Sequence, residues 1–174
     1  MALHDDHYEL IFHGTTGWFG SAAGDTSCVG VYVGRRVLLL DLGTGLRKVD
    51  RERLKDKHVT VLLSHLHLDH CYGLHILPMF APASLTLLIH AELESHLETL
   101  FDAPFVKARG EMDFPIHIRS VTDNRITVND FRIKTRSLRH NTPVIGAQIQ
   151  LPGTPLAYCV DTTLCDGVLE LARG

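Results

Sequence analysis

Ser64-His65-Leu66-His67-Leu68-Asp69-His70 places four potential metal ligands within six residues. It directly follows Val59-Thr-Val-Leu-Leu63, an apolar run of the kind that forms a strand buried on both faces. A loop at a strand end is held by the sheet yet free to aim side chains outward. Imidazole and carboxylate together suit zinc, and also iron or manganese. His65 and His67 can face one metal, and Asp69 and His70 a second. Leu66 and Leu68 can pack beneath the loop and stiffen it. A merely polar surface loop would not need this density of ligand types.

Outward from this cluster, the chain alternates strand and helix and then turns to hairpins. Tyr8 to Phe12 reads as a first strand, followed by a loop from Gly14 to Ser27. Cys28 to Val33 and Val37 to Leu40 form a hairpin around Gly34-Arg35-Arg36. Asp41-Leu-Gly-Thr-Gly45 is a turn, and a short polar helix runs on through Arg53. Beyond the cluster, Gly73 to Leu77 makes one or two helical turns stopped by Pro78. Leu85 to Ile89 is a buried strand and Ala91 to Leu100 a helix with Leu93, Leu97 and Leu100 on one face. Phe101 to Phe114 reads as a loop. Ile126 to Val128 and Phe131 to Ile133 pair around Asn129-Asp130. Val144 to Leu151 and Leu156 to Val160 pair around Pro152-Gly153-Thr154, and a last helix starts near Asp166. This order suggests two mixed sheets packed together with helices outside, in a single α/β domain over residues 1–174.

At this point a resemblance emerges. His-x-His-x-Asp-His after an apolar strand resembles the signature of the metallo-β-lactamase superfamily. Phe12-His-Gly-Thr-Thr-Gly17, Asp25-Thr-Ser-Cys28, Leu40-Asp-Leu-Gly-Thr-Gly45 and Gly73-Leu74 are similar to further motifs of its phosphodiesterase and ribonuclease-Z-like branch. The likeness spans nearly the whole chain, and the histidine motif is its most specific part. It implies a four-layer αββα sandwich and a centre of two zinc ions, or of manganese or iron. It also implies a third histidine at the end of a later strand, which His140 fits. A carboxylate bridging both metals is implied too, and Asp161 fits, since it ends the strand and begins Asp-Thr-Thr. The bland alternatives are a surface histidine and a helix-capping aspartate. Asp41 is read either as an acceptor for the free ring N–H of a metal histidine or as a plain turn residue.

The resemblance further calls for one more histidine beyond Asp161. Only 13 residues follow Asp161 and none is His. The expectation is therefore a domain lacking its last C-terminal elements, with the second metal site weak or empty unless a residue such as His13 or His75 stands in. His13, His58, His75, His90, His96 and His117 lack a motif, and Cys71 reads as a small buried filler. His4 and His7 around Asp5-Asp6 read as a solvated terminus.

Two metals roughly 4 Å apart can hold a bridging hydroxide and clamp both ends of an in-line displacement. That suits phosphodiester hydrolysis, with Asp69 as ligand and orienting group. The redox branch has glutamate where His67 stands, and the antibiotic-cleaving branch usually lacks a histidine at position 70. Transfer-RNA 3′-processing nucleases carry a different glycine turn from Gly43-Thr-Gly-Leu-Arg47. A small-molecule or nucleotide phosphodiester is thus the leading substrate class. A thioester hydrolase of the glyoxalase-II-like type is the alternative, and a non-catalytic scaffold with a degenerate second site comes from another class.

Bulk properties agree. The 174 residues are 45% hydrophobic and 21% charged, ordinary for a globular protein. A net charge of −3 gives no global attraction for nucleic acid. Twelve histidines are an excess that favours metal chemistry. The four cysteines form no C-x-x-C pair. No stretch is long enough to cross a membrane, and no apolar signal opens the chain. A cytoplasmic protein with reduced thiols is the expectation; homo-oligomerisation stays open.

Overall fold

The computed structural model describes residues 7–173; the reading of His4, Asp5 and Asp6 lies outside them. Ten strands form two sheets. The first has the order β1 (Glu9–Gly14), β2 (Cys28–Val33), β3 (Arg36–Leu40), β4 (His58–Leu62), β5 (Ser84–His90) and β6 (Ile116–Val121). Its β1–β2 and β2–β3 pairs are antiparallel, while β3–β4, β4–β5 and β5–β6 are parallel. The second holds β10 (Pro155–Tyr158), β9 (Val144–Gln150), β8 (Phe131–Leu138) and β7 (Arg125–Val128) in that order, antiparallel throughout.

Side-chain alternation explains why the first sheet sits in the middle. Val37, Leu39, Val59, Val61, Leu85, Leu87 and Ile89 point to one face and pack under the helical segments. Their neighbours Leu38, Leu40, Leu62 and Leu88 point to the other. There they meet Phe131, Ile133, Ile145, Ala147 and Ile149 of the second sheet. Two apolar cores on opposite faces of one sheet make its central strands continuous hydrophobic runs. On the far side of the second sheet lies α3 (Asp166–Ala172), so the layers run helices, sheet, sheet, helix. Two glycines let α3 settle: a Cβ on Gly167 would stand 2.5 Å from the Ser137 carbonyl oxygen, and one on Gly146 of β9 would stand 2.8 Å from Leu171.

Several elements differ from the sequence expectation. β6 was not anticipated: it is an edge strand with four exposed or half-exposed residues between its ends, so its apolar signal is weak. The expected helix through Arg53 is two 3-10 turns, Thr44–Lys48 and Arg51–Arg53. The segment after the ligand loop runs as a 3-10 helix over Tyr72–Met79 with Pro78 inside it rather than ending at Pro78. The helix expected over 91–100 begins as a 3-10 turn and becomes α2 only at Glu94–Leu100. The Asn129-Asp130 turn is as read, with positive φ at both residues.

Phe131 is 1% exposed at the junction of the two sheets. Phe131→Ala should cost about 3–5 kcal/mol in denaturant unfolding, because the facing sheets cannot collapse into the void. A loss below about 1 kcal/mol would contradict this packing.

Candidate metal centre

The functional side chains sit at strand ends. β3 delivers Asp41, β4 delivers Ser64 and His65, β8 delivers His140, and β10 delivers Asp161. Asp69 and His70 stand on α1 (Leu68–Cys71), a single turn of helix. Backbone bonds lace these segments. Ile145 N–H donates to the Ser64 carbonyl at 2.9 Å, joining the two sheets beside His65. Thr163 N–H donates to Arg139 C=O at 3.2 Å, and Arg139 N–H to Thr162 Oγ1 at 3.1 Å, so the loops of His140 and Asp161 hold each other. Gly43 permits a close approach to the ligand helix: a Cβ there would lie 2.3 Å from the Asp69 carbonyl oxygen.

All six ligand candidates from the sequence come together. His65, His67, His140 and Asp161 offer donor atoms within 4.8 Å of one another, and so do Asp69, His70 and Asp161. Asp161 belongs to both sets, and its oxygens divide between them. Its Oδ2 lies 3.8 Å from His65 Nε2 and 3.9 Å from His140 Nε2. Its Oδ1 lies 3.5 Å from His70 Nε2, which is itself 3.5 Å from Asp69 Oδ2. His140 Nε2 and His67 Nδ1 are 3.3 Å apart. Tetrahedral zinc with bonds of 2.0–2.1 Å has ligand–ligand edges of roughly 3.3 Å, so these separations suit a small divalent cation. A buried polar atom supports the same fit: His65 Nε2 has no hydrogen-bond partner among the described residues. Neither His13 nor His75 joins these sets. His13 instead lies 3.2 Å from the Tyr32 hydroxyl, and His75 bonds the Tyr72 carbonyl.

The hydrogen-bond network decides which imidazole nitrogen is free. Asp41 is fully buried, and its Oδ2 accepts from His70 Nδ1 at 2.6 Å, from Ser64 Oγ at 2.9 Å and from Tyr158 Oη at 2.7 Å. Its Oδ1 accepts from Ser64 N–H at 2.6 Å. The single Ser64 hydroxyl proton is thus given to Asp41, and Ser64 Oγ accepts from His65 Nδ1 at 3.0 Å. His65, and His70 in its neutral form, carry the proton on Nδ1 and turn Nε2 toward Asp161. Burial, helped by the neighbouring His70, pushes the His65 pKa down to about 4, so His65 is neutral and ready to ligate at pH 7. Burial also pulls on His70, but the Asp41 hydrogen bond and charge outweigh it and raise its pKa. Burial would raise Asp69, yet the Trp18 N–H and the His70 charge carry it below the usual carboxylate range. Burial and the Asp41 charge drive the Tyr158 pKa far upward, so its hydroxyl stays a donor.

The sequence left two parts of this site unread. Trp18 N–H donates to Asp69 Oδ2 at 2.7 Å, tying the first loop to the ligand loop across 51 positions. Tyr158 reaches Asp41 across 117 positions. No local spacing announces either contact. Of Asp41's two readings, the geometry supports the acceptor of the His70 ring N–H. Cys71 is buried, with its Sγ 3.5 Å from the Leu66 carbonyl, in the filler position expected.

The loop that carries Trp18 is anchored by Asp25. Asp25 C=O accepts from Thr15 and Thr16 N–H, and its carboxylate meets Arg47 Nε at 3.0 Å and Lys48 Nζ at 2.8 Å. Those two cations hold its pKa down to about 2. A depressed carboxylate stabilises the fold above its unfolded pKa near 3.9, and the contribution fades as pH falls toward 2. Both cations are largely exposed, which screens the pair. Asp25→Asn should therefore cost about 1–2 kcal/mol at pH 7. The gap to wild type should close between about pH 5 and pH 2 in parallel unfolding curves. A gap independent of pH would place the effect elsewhere.

No helix among the described residues is long and apolar enough to cross a membrane. Residues 35–174 match the family model described as the beta-lactamase superfamily domain. The uncharacterized protein Rv1339 of Mycobacterium tuberculosis is 30% identical over 190 residues, covering 96% of this chain and 68% of that protein. The ribonuclease Z of Oceanobacillus iheyensis is 25% identical over 167 residues, covering 88% of this chain and 53% of its own length. Among solved structures, the metallo-beta-lactamase fold protein YhfI from Bacillus subtilis superposes with a TM-score of 0.71 at 20% identity. That match takes in 91% of this chain, which spans only 64% of YhfI. Family match, sheet order and clustered ligand residues agree, and the chain belongs to the metallo-β-lactamase-fold hydrolase superfamily.

Proposed function

We propose that this chain hydrolyses phosphodiesters of small molecules or nucleotides at a centre of two divalent ions, zinc first among them. The observation that carries the reading is the divided carboxylate of Asp161, with one oxygen toward each set of donors. His65, His67, His140 and Asp161 Oδ2 would hold one ion; Asp69, His70 and Asp161 Oδ1 would hold the other. Paired ions supply Lewis acidity toward the phosphoryl oxygens and lower the pKa of bound water. The side chains supply the rest. Asp69, ionised and fixed by the Trp18 amide, can accept a hydrogen bond from an attacking water and set its direction. The Nδ1–H tautomers of His65 and His70 keep both rings from turning away. The similarity to a ribonuclease Z supports phosphodiester chemistry over acyl transfer.

Protein purified without chelator should carry zinc, iron or manganese in elemental analysis. Less than a tenth of an equivalent, not restored by adding these metals, would refute the centre. The metal-loaded protein should cleave bis(p-nitrophenyl) phosphate faster than a thioester or a β-lactam, and a thioester preference would replace the reading. Asp161→Asn should lower turnover by more than the roughly 10–100-fold typical of losing an outer hydrogen-bond partner, because it touches both donor sets. The His65 set has four donors and the His70 set three, so a zinc titration should resolve one tight and one weaker class. Two equally tight classes in the monomer would overturn the assignment of three donors to the second set.

A further inference from the structure

We propose that Tyr158 is a positioning residue for His70, acting through Asp41, and that it tunes the His70 set without touching the His65 set directly. The proposal rests on the metal-centre reading only for its consequence, not for its geometry. Tyr158 is the last residue of β10, and Asp161 stands three positions further along. One strand end therefore addresses both nitrogens of His70. Asp161 Oδ1 faces Nε2 at 3.5 Å. Tyr158 Oη donates to Asp41 Oδ2 at 2.7 Å, and that same oxygen accepts Nδ1–H at 2.6 Å. The hydroxyl has a second partner, Ser27 Oγ at 2.7 Å, at the start of the first sheet's antiparallel edge. The chain Ser27–Tyr158–Asp41–His70 thus crosses from sheet to sheet and ends on a ligand candidate.

The chemistry explains why this contact should matter for one set only. Asp41 Oδ2 has three donors, and Oδ1 is held by the Ser64 amide. With the tyrosine hydroxyl gone, the oxygen that orients His70 loses the one donor coming from the second sheet. Asp41 can then pivot about its bond to Ser64, and His70 follows it. His65 takes its orientation from Ser64 Oγ, which remains. The same loss leaves Ser27 Oγ without its tyrosine partner but opens no cavity larger than one oxygen atom. Packing of the ring against the second core is kept by phenylalanine.

The test is Tyr158→Phe, read in two ways. In the metal-free protein, the His70 Nδ1–H proton should give a downfield resonance in wild type, as expected of a short bond to a carboxylate. It should shift or broaden in Tyr158→Phe while the His65 signal stays. In a competitive zinc titration, the weaker class should lose affinity by about tenfold, within the range for outer hydrogen-bond partners. The tighter class should change by less than about twofold. Ser27→Ala, which keeps the Tyr158–Asp41 bond, should show the same selectivity with a smaller loss, and it serves if Tyr158→Phe fails to fold. Equal weakening of both classes, or an unmoved His70 proton, would overturn the proposal. If wild type binds no metal, the centre assignment falls, and the proton shift alone decides whether the clamp exists.

Discussion

The carboxylate of Asp41 is buried to 0% exposure at the end of β3, with four hydrogen-bond donors around it. Removing such a group from water is costly unless its lone pairs are filled, and here they are filled from three directions. Ser64 comes from the end of β4, His70 from the ligand helix and Tyr158 from the second sheet. Satisfying this one group therefore fixes the relative placement of three elements that carry the candidate site. Asp41 itself adopts φ of 59°, a conformation tolerable for aspartate and poor for bulkier residues. The site is built around its needs as much as it around the site's.

The arrangement separates two histidines whose rings lie only 4.3 Å apart. Burial alone would strip the proton from both. His65 has a neutral hydroxyl behind it and follows burial downward; His70 has a carboxylate behind it and moves the other way. A carboxylate acceptor also makes the imidazole a stronger donor toward a cation, at the cost of stronger competition from protons. The two donor sets are thus chemically unequal before their numbers of ligands are considered. Asp161 spans that inequality with one oxygen on each side.

What the sequence made legible follows from distance along the chain. His65, His67, Asp69 and His70 lie in one loop, so their spacing alone suggested a shared centre. His140 and Asp161 were found through resemblance and strand-end position, and the fold brings both to the cluster. The buried strands of the first sheet were plain, because both of their faces are apolar. β6 escaped because its exposed positions break the apolar pattern. The Trp18–Asp69 and Tyr158–Asp41 bonds escaped for a different reason. One is a backbone donor, and any residue type supplies that. The other is a tyrosine at the end of a hairpin strand, where packing is the ordinary explanation.

Backbone strain gathers where function is proposed. Six non-glycine residues among those described have positive φ. Asp56, Asn129 and Asp130 lie outside the candidate centre, the last two in a hairpin turn where asparagine and aspartate are at home. Trp18, Asp41 and Asp161 are the other three, and each contacts the candidate centre. For a tryptophan this conformation is a marked outlier, and the residue is 89% exposed, so burial gives little back. The bond from its amide to Asp69 is what the conformation achieves. Such strain persists only where surrounding structure over-determines it. Here the Asp25 ion pairs, the Gly43 approach and the cross-sheet bonds do so. Stability in this fold is thus supplied by the two apolar cores and drawn on at the strand ends, where ligand placement takes precedence over relaxed backbone.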